Sequence, residues 1–441
     1  MSQAIALKRA TWMFALLAVA LLAMTLAWHI PMMLWDHLDL VPMYQAWRER
    51  GLADAGLWQV HDGSHLHAGA YYVLLATTAL SHGRPWLDCL ASFALLLGFA
   101  ALALRMARAT FLQRETGAWA WFGLVFLALT PGHLPNLQWG WQVAVFLCLF
   151  GAGVCIQALG TGELNWRRNV VALAGAMLAC ISFSTALALI PAALLLIALR
   201  RESPLAMRGL HALPWLALAA YGAWRYGALA VPGETGAGPL LLGHYALNFL
   251  GGGAARFARH LGVGVTALAL LASWPLLRAG LWRREALPWL GLIVFGAGSA
   301  VLTALGRAAP FGAEHAFASR YVSFSSMFWL GWLGLFWSLR ADLSPWARRW
   351  LTRLAMLLTV LIVANGLQMA KKAARTGKET RETASLIRQS WPQVDDATLA
   401  KAYFGRTDLA VQRLQALRAY GFAPFDPAQA EPETAPAQTP R

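Results

Sequence analysis

Hydrophobic runs of about 20 residues recur along the first 370 positions, which is the length that a helix needs to cross a bilayer. The runs predict about eleven membrane spans. They cover residues 11–30, 86–104, 117–132, 139–159, 169–184, 186–199, 210–228, 260–280, 287–306, 321–339 and 350–369. Residues 169–199 are short for two spans, and a single tilted span there would reverse every crossing that follows. The pattern predicts an all-α, polytopic transmembrane helix bundle.

The longest polar segment between two runs is residues 31–85. Within it, Pro42 to Leu52 predicts a short helix that begins at the proline and ends at Gly51. The apolar stretch from Ala68 to Leu80 is too short to cross, and it predicts an interfacial helix along the outer leaflet. The glycine-rich residues 229–259 predict a loop.

The composition changes after residue 370. Residues 371–424 combine mixed charge with helical periodicity, which predicts a small helical domain. Residues 425–441 are rich in Pro, Ala and Glu, which predicts disorder. The predicted organisation is therefore a transmembrane module over 1–370, with 31–85 as its large first outer loop, followed by these two parts.

Composition and charge give the membrane class and the topology. The chain is 58% hydrophobic and 13% charged, whereas soluble domains have about a quarter of charged residues. The net charge of +15 does not indicate nucleic acid, because the basic residues lie mostly in short loops. Each predicted cytoplasmic segment carries at least two of them, as the positive-inside rule requires. This predicts a cytoplasmic N-terminus and an outer, periplasmic C-terminal tail, with membrane lipids as partners.

Carboxylates are scarce, and two of them follow the first hydrophobic run in WDHLDLVP (35–42). On a helix, the spacing of Asp36 and Asp39 places both on one face. They are candidates for acid–base chemistry, and the alternative is that they cap or order the loop. Ionisable residues are almost absent from the middles of the predicted spans. This argues against transport, since carriers need such groups near the bilayer midplane.

Further polar residues occur in other predicted outer segments. NLQWGWQ (136–142) carries Asn136, Trp139 and Gln142, which are candidates for lining a binding site; the alternatives are helix packing for Trp139 and cavity-facing amides. SRYVSFSSMFW (319–329) begins with Arg320 and Tyr321, shortly after His315. A snorkelling arginine, a solvated histidine and an aromatic belt are the alternatives there. His61, Asp62 and His65 form a weak metal-binding pattern, which loop hydrogen bonding also explains.

The many spans, the long first outer loop with an early acid, the interfacial helix and the outer tail together resemble the GT-C glycosyltransferases. WDHLDLVP lies where that superfamily keeps its catalytic acid. NLQWGWQ and SRYVSFSSMFW resemble segments of bacterial membrane proteins from surface-polysaccharide gene sets. The resemblance covers about residues 1–370 and is architectural. The superfamily often has two adjacent acids, whereas Asp36 and Asp39 are three apart, so either could be the working acid.

The resemblance implies transfer of a sugar from a polyprenyl-phosphate carrier to an acceptor outside the membrane. Asp36 or Asp39 would be the general base for the acceptor hydroxyl, and in-line attack would invert the anomeric centre. Arg320, with His315, would bind the donor phosphate through its planar fork. Asn136, Trp139, Gln142 and Tyr321 would contact the sugars. Some members use a divalent metal such as Mg or Mn, for which His61, Asp62 and His65 are the candidates.

This function places the protein in the bacterial inner membrane, with an envelope glycan, lipid or protein as the acceptor. Two other functions fit the same sequence. One is a non-enzymatic flippase or exporter of lipid-linked sugars, which predicts a polar path through the membrane. The other is a structural subunit of an envelope assembly complex, with the tail as its docking part.

Overall fold

The computed structural model describes residues 3–61, 65–111, 118–227 and 236–425, and the described chain is almost entirely helical. In its first half the α-helices are α1 (Gln3–Trp28), α2 (Leu40–Arg50), α3 (Ala68–Ser81), α4 (Trp86–Phe111), α5 (Ala118–Ala128), α6 (Leu134–Leu137), α7 (Val143–Gly160), α8 (Trp166–Cys180) and α9 (Leu189–Ala198). In its second half they are α10 (Leu205–Gly227), α11 (Pro239–Ala255), α12 (Arg259–Gly280), α13 (Leu287–Phe311), α14 (Val322–Leu339), α15 (Pro345–Ser390), α16 (Asp396–Ala402) and α17 (Thr407–Ala419).

Short 3-10 helices connect many of these elements. They are Trp35–Asp39, Leu52–Ala55, Pro131–His133, Gly140–Gln142, Ser184–Ala188, Arg284–Ala286, Ala313–Phe317, Ser319–Tyr321 and Arg340–Asp342. Two short antiparallel strands, β1 (Val60–His61) and β2 (His65–Leu66), pair in the first long loop.

Seven helical segments in the described residues are long and apolar enough to cross a membrane. They are Leu7–Trp28, Trp86–Phe111, Gly140–Gly160, Arg259–Gly280, Arg284–Phe311, Ser319–Asp342 and Pro345–Ser390. Each corresponds to a predicted span. The other predicted spans correspond to α5, α8, α9 and α10, which do not meet these criteria of length and composition. The all-helical, membrane-type architecture is confirmed, and the count of about eleven spans is not.

Residues 169–199 form two helices, α8 and α9, that run in opposite directions. The C-terminal end of α8 lies at the first long loop, where the carbonyl of Ser182 contacts His67 Nδ1 at 2.8 Å. The C-terminal end of α9 lies at the other end of the bundle, where Arg200 donates to the carbonyl of Gly162 at 2.6 Å. The chain therefore reverses direction at Ser184–Ala188. Residues 169–199 do not form the single tilted span that was the alternative.

Arginines of the predicted cytoplasmic segments gather at this second end of the bundle, and some of them have structural roles. Arg200, 1% exposed, and Arg168 donate to carbonyls at the C-terminal end of α7, Arg200 to that of Leu159 and Arg168 to that of Ala158 at 3.3 Å. These carbonyls have no partner within the helix. Arg283 pairs with Asp342 at 3.0 Å. The arginines therefore cap helix ends and form an ion pair between helices, in addition to following the positive-inside rule.

Helix α11 occupies residues where a glycine-rich loop was predicted. A Cβ at Gly251 would lie 2.8 Å from the carbonyl carbon of Gly262, so the two helices α11 and α12 touch through their backbones. Gly253 likewise faces the side chain of Ser325 on α14. The loop prediction was wrong because these glycines permit close helix packing here and do not break the helix.

The first long loop has the helices that the sequence predicts. The helix predicted from Pro42 is α2, which begins two residues earlier because a 3-10 turn leads into it, and it ends at Gly51 with φ 94°. The apolar stretch forms α3, whose Leu74, Leu75 and Thr78 are buried. Helix α3 packs against α4 and α7.

The tail begins as a continuation of a membrane helix. Helix α15 is 46 residues long and passes residue 370 without a break. The tail then turns back and shares a hydrophobic core with the first loop. Buried members of this shared core are Leu38, Leu40, Leu74, Leu399, Leu414, Leu417 and Phe422. The predicted disorder of 425–441 concerns residues that, after Phe425, lie outside the described chain.

Candidate functional site

The acids predicted from the sequence lie on the 3-10 helix Trp35–Asp39, here called the acid turn. Trp35 has a φ of 58°, a conformation that costs free energy for a residue with a Cβ. Its indole Nε1 donates to the carbonyl of Lys401 at 3.0 Å, and its ring meets that of Trp139 edge-on at 5.2 Å. These contacts hold the turn and leave Asp36 and Asp39 half-buried.

Asp39 accepts a hydrogen bond from the hydroxyl of Tyr403 in the tail. Burial, with a further contribution from this hydrogen bond, raises the pKa of Tyr403 to about 12. The phenol therefore keeps its proton at neutral pH and remains the donor. The contact orients Asp39 and joins the tail to the acid turn. Sequence patterns do not predict this contact, because the two residues are far apart in the chain.

A buried polar pair lies beneath the acid turn. His37 Nε2 is 3.6 Å from Asp88 Oδ2, and neither side chain is exposed by more than 2%. The hydroxyl of Thr77 donates to the other oxygen of Asp88. Burial lowers the pKa of His37 to about 3, so the imidazole is neutral and the contact is not an ion pair. Gly140 closes the site, since a Cβ there would lie 3.0 Å from His37 Cε1.

The segment Pro131–Gln142, here called the linking segment, contains three predicted sugar-binding residues. Asn136 is 1% exposed and donates to the carbonyl of Arg320 at 2.9 Å and to Ser323 Oγ at 2.8 Å. Both amide hydrogens thus hold the start of α14. Gln142 is 7% exposed. Trp139 is half-buried and packs edge-on against Trp35 of the acid turn.

Arg320 is exposed, and its guanidinium is oriented by neighbouring rings. Arg320 Nη2 is 3.1 Å from His315 Nε2, and His315 Nδ1 is 3.0 Å from the Tyr245 hydroxyl. Burial lowers the pKa of His315 to about 4, and Arg320 and Arg307 add to the effect. A neutral His315 can accept from Arg320 and donate to Tyr245, so it orients the arginine without adding charge. Tyr321 is buried, 7% exposed.

More cations surround Arg320. Lys372 Nζ donates to Ser319 Oγ at 2.9 Å, and Arg256 Nε donates to the carbonyl of Phe317. Arg256, Arg259, Arg320 and Lys372 form what is here called the cationic cluster. Within the described residues, Glu314 is the carboxylate that pairs with it, through Arg259. The cluster therefore has an excess of positive charge at a surface where an anion can approach.

The linking segment connects the acid turn to the cationic cluster. At one end Trp139 packs on Trp35, and at the other Asn136 holds the main chain at Arg320. The structure thus gathers residues of the first loop, the linking segment, the start of α14 and the tail at one end of the bundle. Separate segments of the sequence meet there.

The metal candidates cannot be placed. Asp62 and the side chains of His61 and His65 lie outside the described residues. The neighbouring His67 is buried and contacts the Ser182 carbonyl through Nδ1. Over the described chain, His, Cys, Asp and Glu side chains form no group of three or more that could hold a metal ion.

No protein-family model matches the chain, and neither the curated proteins nor the solved structures contain a match.

Proposed function

We propose that the chain is a polytopic membrane glycosyltransferase of the GT-C type, acting at the periplasmic face of a bacterial inner membrane. It would transfer a sugar from a polyprenyl-phosphate-linked donor to an envelope glycan, lipid or protein. The observation that carries this proposal is that the linking segment contacts the acid turn through Trp139 and the main chain at Arg320 through Asn136, at one end of an apolar bundle. The reaction needs a carboxylate to accept the proton of the acceptor hydroxyl and cations to stabilise the leaving lipid phosphate.

Asp36 is the proposed general base. The acceptor hydroxyl must lose its proton as its oxygen attacks the anomeric carbon, and a carboxylate within hydrogen-bond reach can take that proton. Asp39 accepts a hydrogen bond from Tyr403, and we assign it to orienting the turn. With one attack on the side opposite the leaving phosphate, the anomeric configuration inverts.

Arg320 is the proposed ligand of the donor phosphate. Its exposed guanidinium can donate two parallel hydrogen bonds to phosphate oxygens, while His315 fixes its orientation from behind. Lys372, beside Ser319, adds a second positive charge. These groups stabilise the negative charge that develops on the leaving lipid phosphate.

Trp35 and Trp139 are the proposed sugar contacts. They lie edge-to-face at the acid turn, and Trp139 is half-buried. Indole rings offer an apolar face to the C–H side of a sugar ring. Asn136 and Tyr321, by contrast, would support the site through packing, because both are buried.

An exporter of lipid-linked sugars has less support. It needs polar or charged groups along the spans, whereas Gly140–Gly160 contains no Asp, Glu, Lys or Arg. A purely structural subunit would use the tail to dock a partner. The apolar side of the tail instead packs on the protein's own first loop.

The test is sugar transfer in the native host, measured for Asp36→Asn and Asp39→Asn at matched membrane levels. Asp54→Asn is the control, because Asp54 is an exposed acid of the same loop. We expect loss of the envelope glycan with Asp36→Asn, a partial decrease with Asp39→Asn and no change with the control. Full activity in both acid-turn variants would refute the enzyme proposal.

A further inference from the structure

An apolar crevice lies between α5, α14 and α15. It has a volume of about 270 Å³ and is lined by rings and aliphatic side chains that include Trp119, Phe122, Trp337, Met356 and Val360. Met356 is 45% and Val360 64% exposed. In a bilayer the crevice would therefore open sideways to the lipid chains.

A cation lies beside Trp337, one of the rings that line this crevice. The guanidinium of Arg340 is 5.6 Å from the ring centroid of Trp337, and its Nε is 3.5 Å from Thr352 Oγ1. In the described part of the chain, no ion pair joins Arg340 to a carboxylate, and the nearby Asp342 pairs with Arg283 at 3.0 Å. Arg340 can therefore bind an external anion.

The spacing along α15 matches one lipid chain. Thr352 contacts Arg340, and Val363 lines the far part of the crevice. At 1.5 Å per helical residue, they are about 16 Å apart along the axis. This is close to the length of a hydrocarbon tail in one leaflet, since the full hydrocarbon core is about 30 Å thick.

We propose that this crevice binds an anionic glycerophospholipid, with one acyl chain between α5 and α15 and the phosphate on Arg340. Basic pockets between membrane helices favour anionic headgroups, and the hydrogen bonds of an arginine to phosphate are charge-assisted. The site lies at the arginine-rich end, opposite the acid turn. It depends on the chain lying in a bilayer and does not depend on sugar transfer.

The test is native mass spectrometry of the detergent-purified full chain titrated with phosphatidylglycerol or phosphatidylcholine. Arg278→Gln is the matched control, since Arg278 also lies over an indole, that of Trp274, at 5.5 Å. We expect phosphatidylglycerol to bind more tightly than phosphatidylcholine. Arg340→Gln should weaken phosphatidylglycerol binding about tenfold, equivalent to one charge-assisted contact, while Arg278→Gln should leave it unchanged.

Two further variants separate the two parts of the site. Arg340→Lys keeps the charge and should retain most of the binding. Val363→Trp fills the crevice from its half-buried edge and should weaken binding of both lipids. Each variant is first checked for a monodisperse elution profile and unchanged thermal unfolding. Equal affinity of the wild type for the two lipids, or an equal loss in Arg278→Gln, would overturn the proposal.

Discussion

Tyr403 and Asp39 are 364 residues apart in the sequence, and the tyrosine hydroxyl donates to the carboxylate. The second contact between the same segments is the hydrogen bond from Trp35 to the carbonyl of Lys401. The tail is therefore part of the wall of the candidate site. Any change in how the tail packs should reach the acid turn directly.

Replacing Tyr403 with Phe should loosen the tail while leaving the bundle folded. The change removes one hydrogen bond to a charged group, which contributes about 1.5–3 kcal/mol. We expect faster amide hydrogen exchange in the acid turn and in α16. Tyr420→Phe is the control, since the Tyr420 ring packs on Tyr44 and Phe422. Identical exchange in both variants would mean that the hydroxyl of Tyr403 does not hold the tail.

The same contact should make tail packing sensitive to alkali. The folded pKa of Tyr403, about 12, lies above the usual tyrosine value of 10.0, so the stabilisation is complete below about pH 10. It is lost as the pH rises towards about 12, because the folded state resists deprotonation. Hydrogen exchange is too fast at this pH, so limited proteolysis of the tail by an alkali-tolerant protease is the measurement. Tyr403→Phe should show less change across this window.

Gly83→Ala should disrupt the core that the tail shares with the first loop. Gly83 has a φ of 73°, and a Cβ there would overlap the ring of Phe422. Gly51→Ala separates the two effects, because Gly51 has a φ of 94° but open space around it. We expect a cost of about 1 kcal/mol from conformation alone at Gly51 and a larger one at Gly83. Thermal unfolding measures both, and adding Phe422→Ala to Gly83→Ala should recover part of the difference.

His37 should make the loop end of the protein unstable in acid. Burial lowers its folded pKa to about 3, below the usual histidine value of 6.5, so the unfolded state binds the proton first. Stability is complete above about pH 6.5 and falls towards pH 3, by at most about 1.4 kcal/mol per pH unit for this group. His37→Phe should reduce that slope in thermal unfolding at several pH values. The exposed His244, changed to Gln, is the surface control.

His315 and Arg320 should act as one unit in donor binding. In the wild type the ring centroids of His315 and Phe311 are 4.7 Å apart. His315→Phe keeps a ring in this contact but removes both hydrogen bonds of the imidazole. We expect Arg320→Gln to raise the KM for a polyprenyl-phosphate sugar about tenfold or more, with a smaller rise for His315→Phe. Arg278→Gln, at the opposite end, should leave KM unchanged. A fall in kcat with constant KM would contradict the phosphate-binding role.

The sequence predicted the helical elements best where the apolar periodicity was long. Helices α2 and α3 appear within two residues of their predicted bounds. The errors came from glycines, since Gly251 and Gly253 let α11 pack closely where a loop was predicted. Asp88, an isolated acid in the first turn of α4, is the sequence feature that points to the buried pair with His37.

Hydrophobicity by itself determined the class of fold, because a run of about 20 apolar residues has few alternatives to a buried or membrane helix. It also marked Asp36, Asp39 and Arg320 as rare charges at the ends of such runs. Only the tertiary structure showed that Tyr403 donates to Asp39 and that the Asn136 amide binds the main chain at Arg320. Contacts between residues far apart in the chain depend on how helix faces pack, and local sequence periodicity does not encode which faces meet.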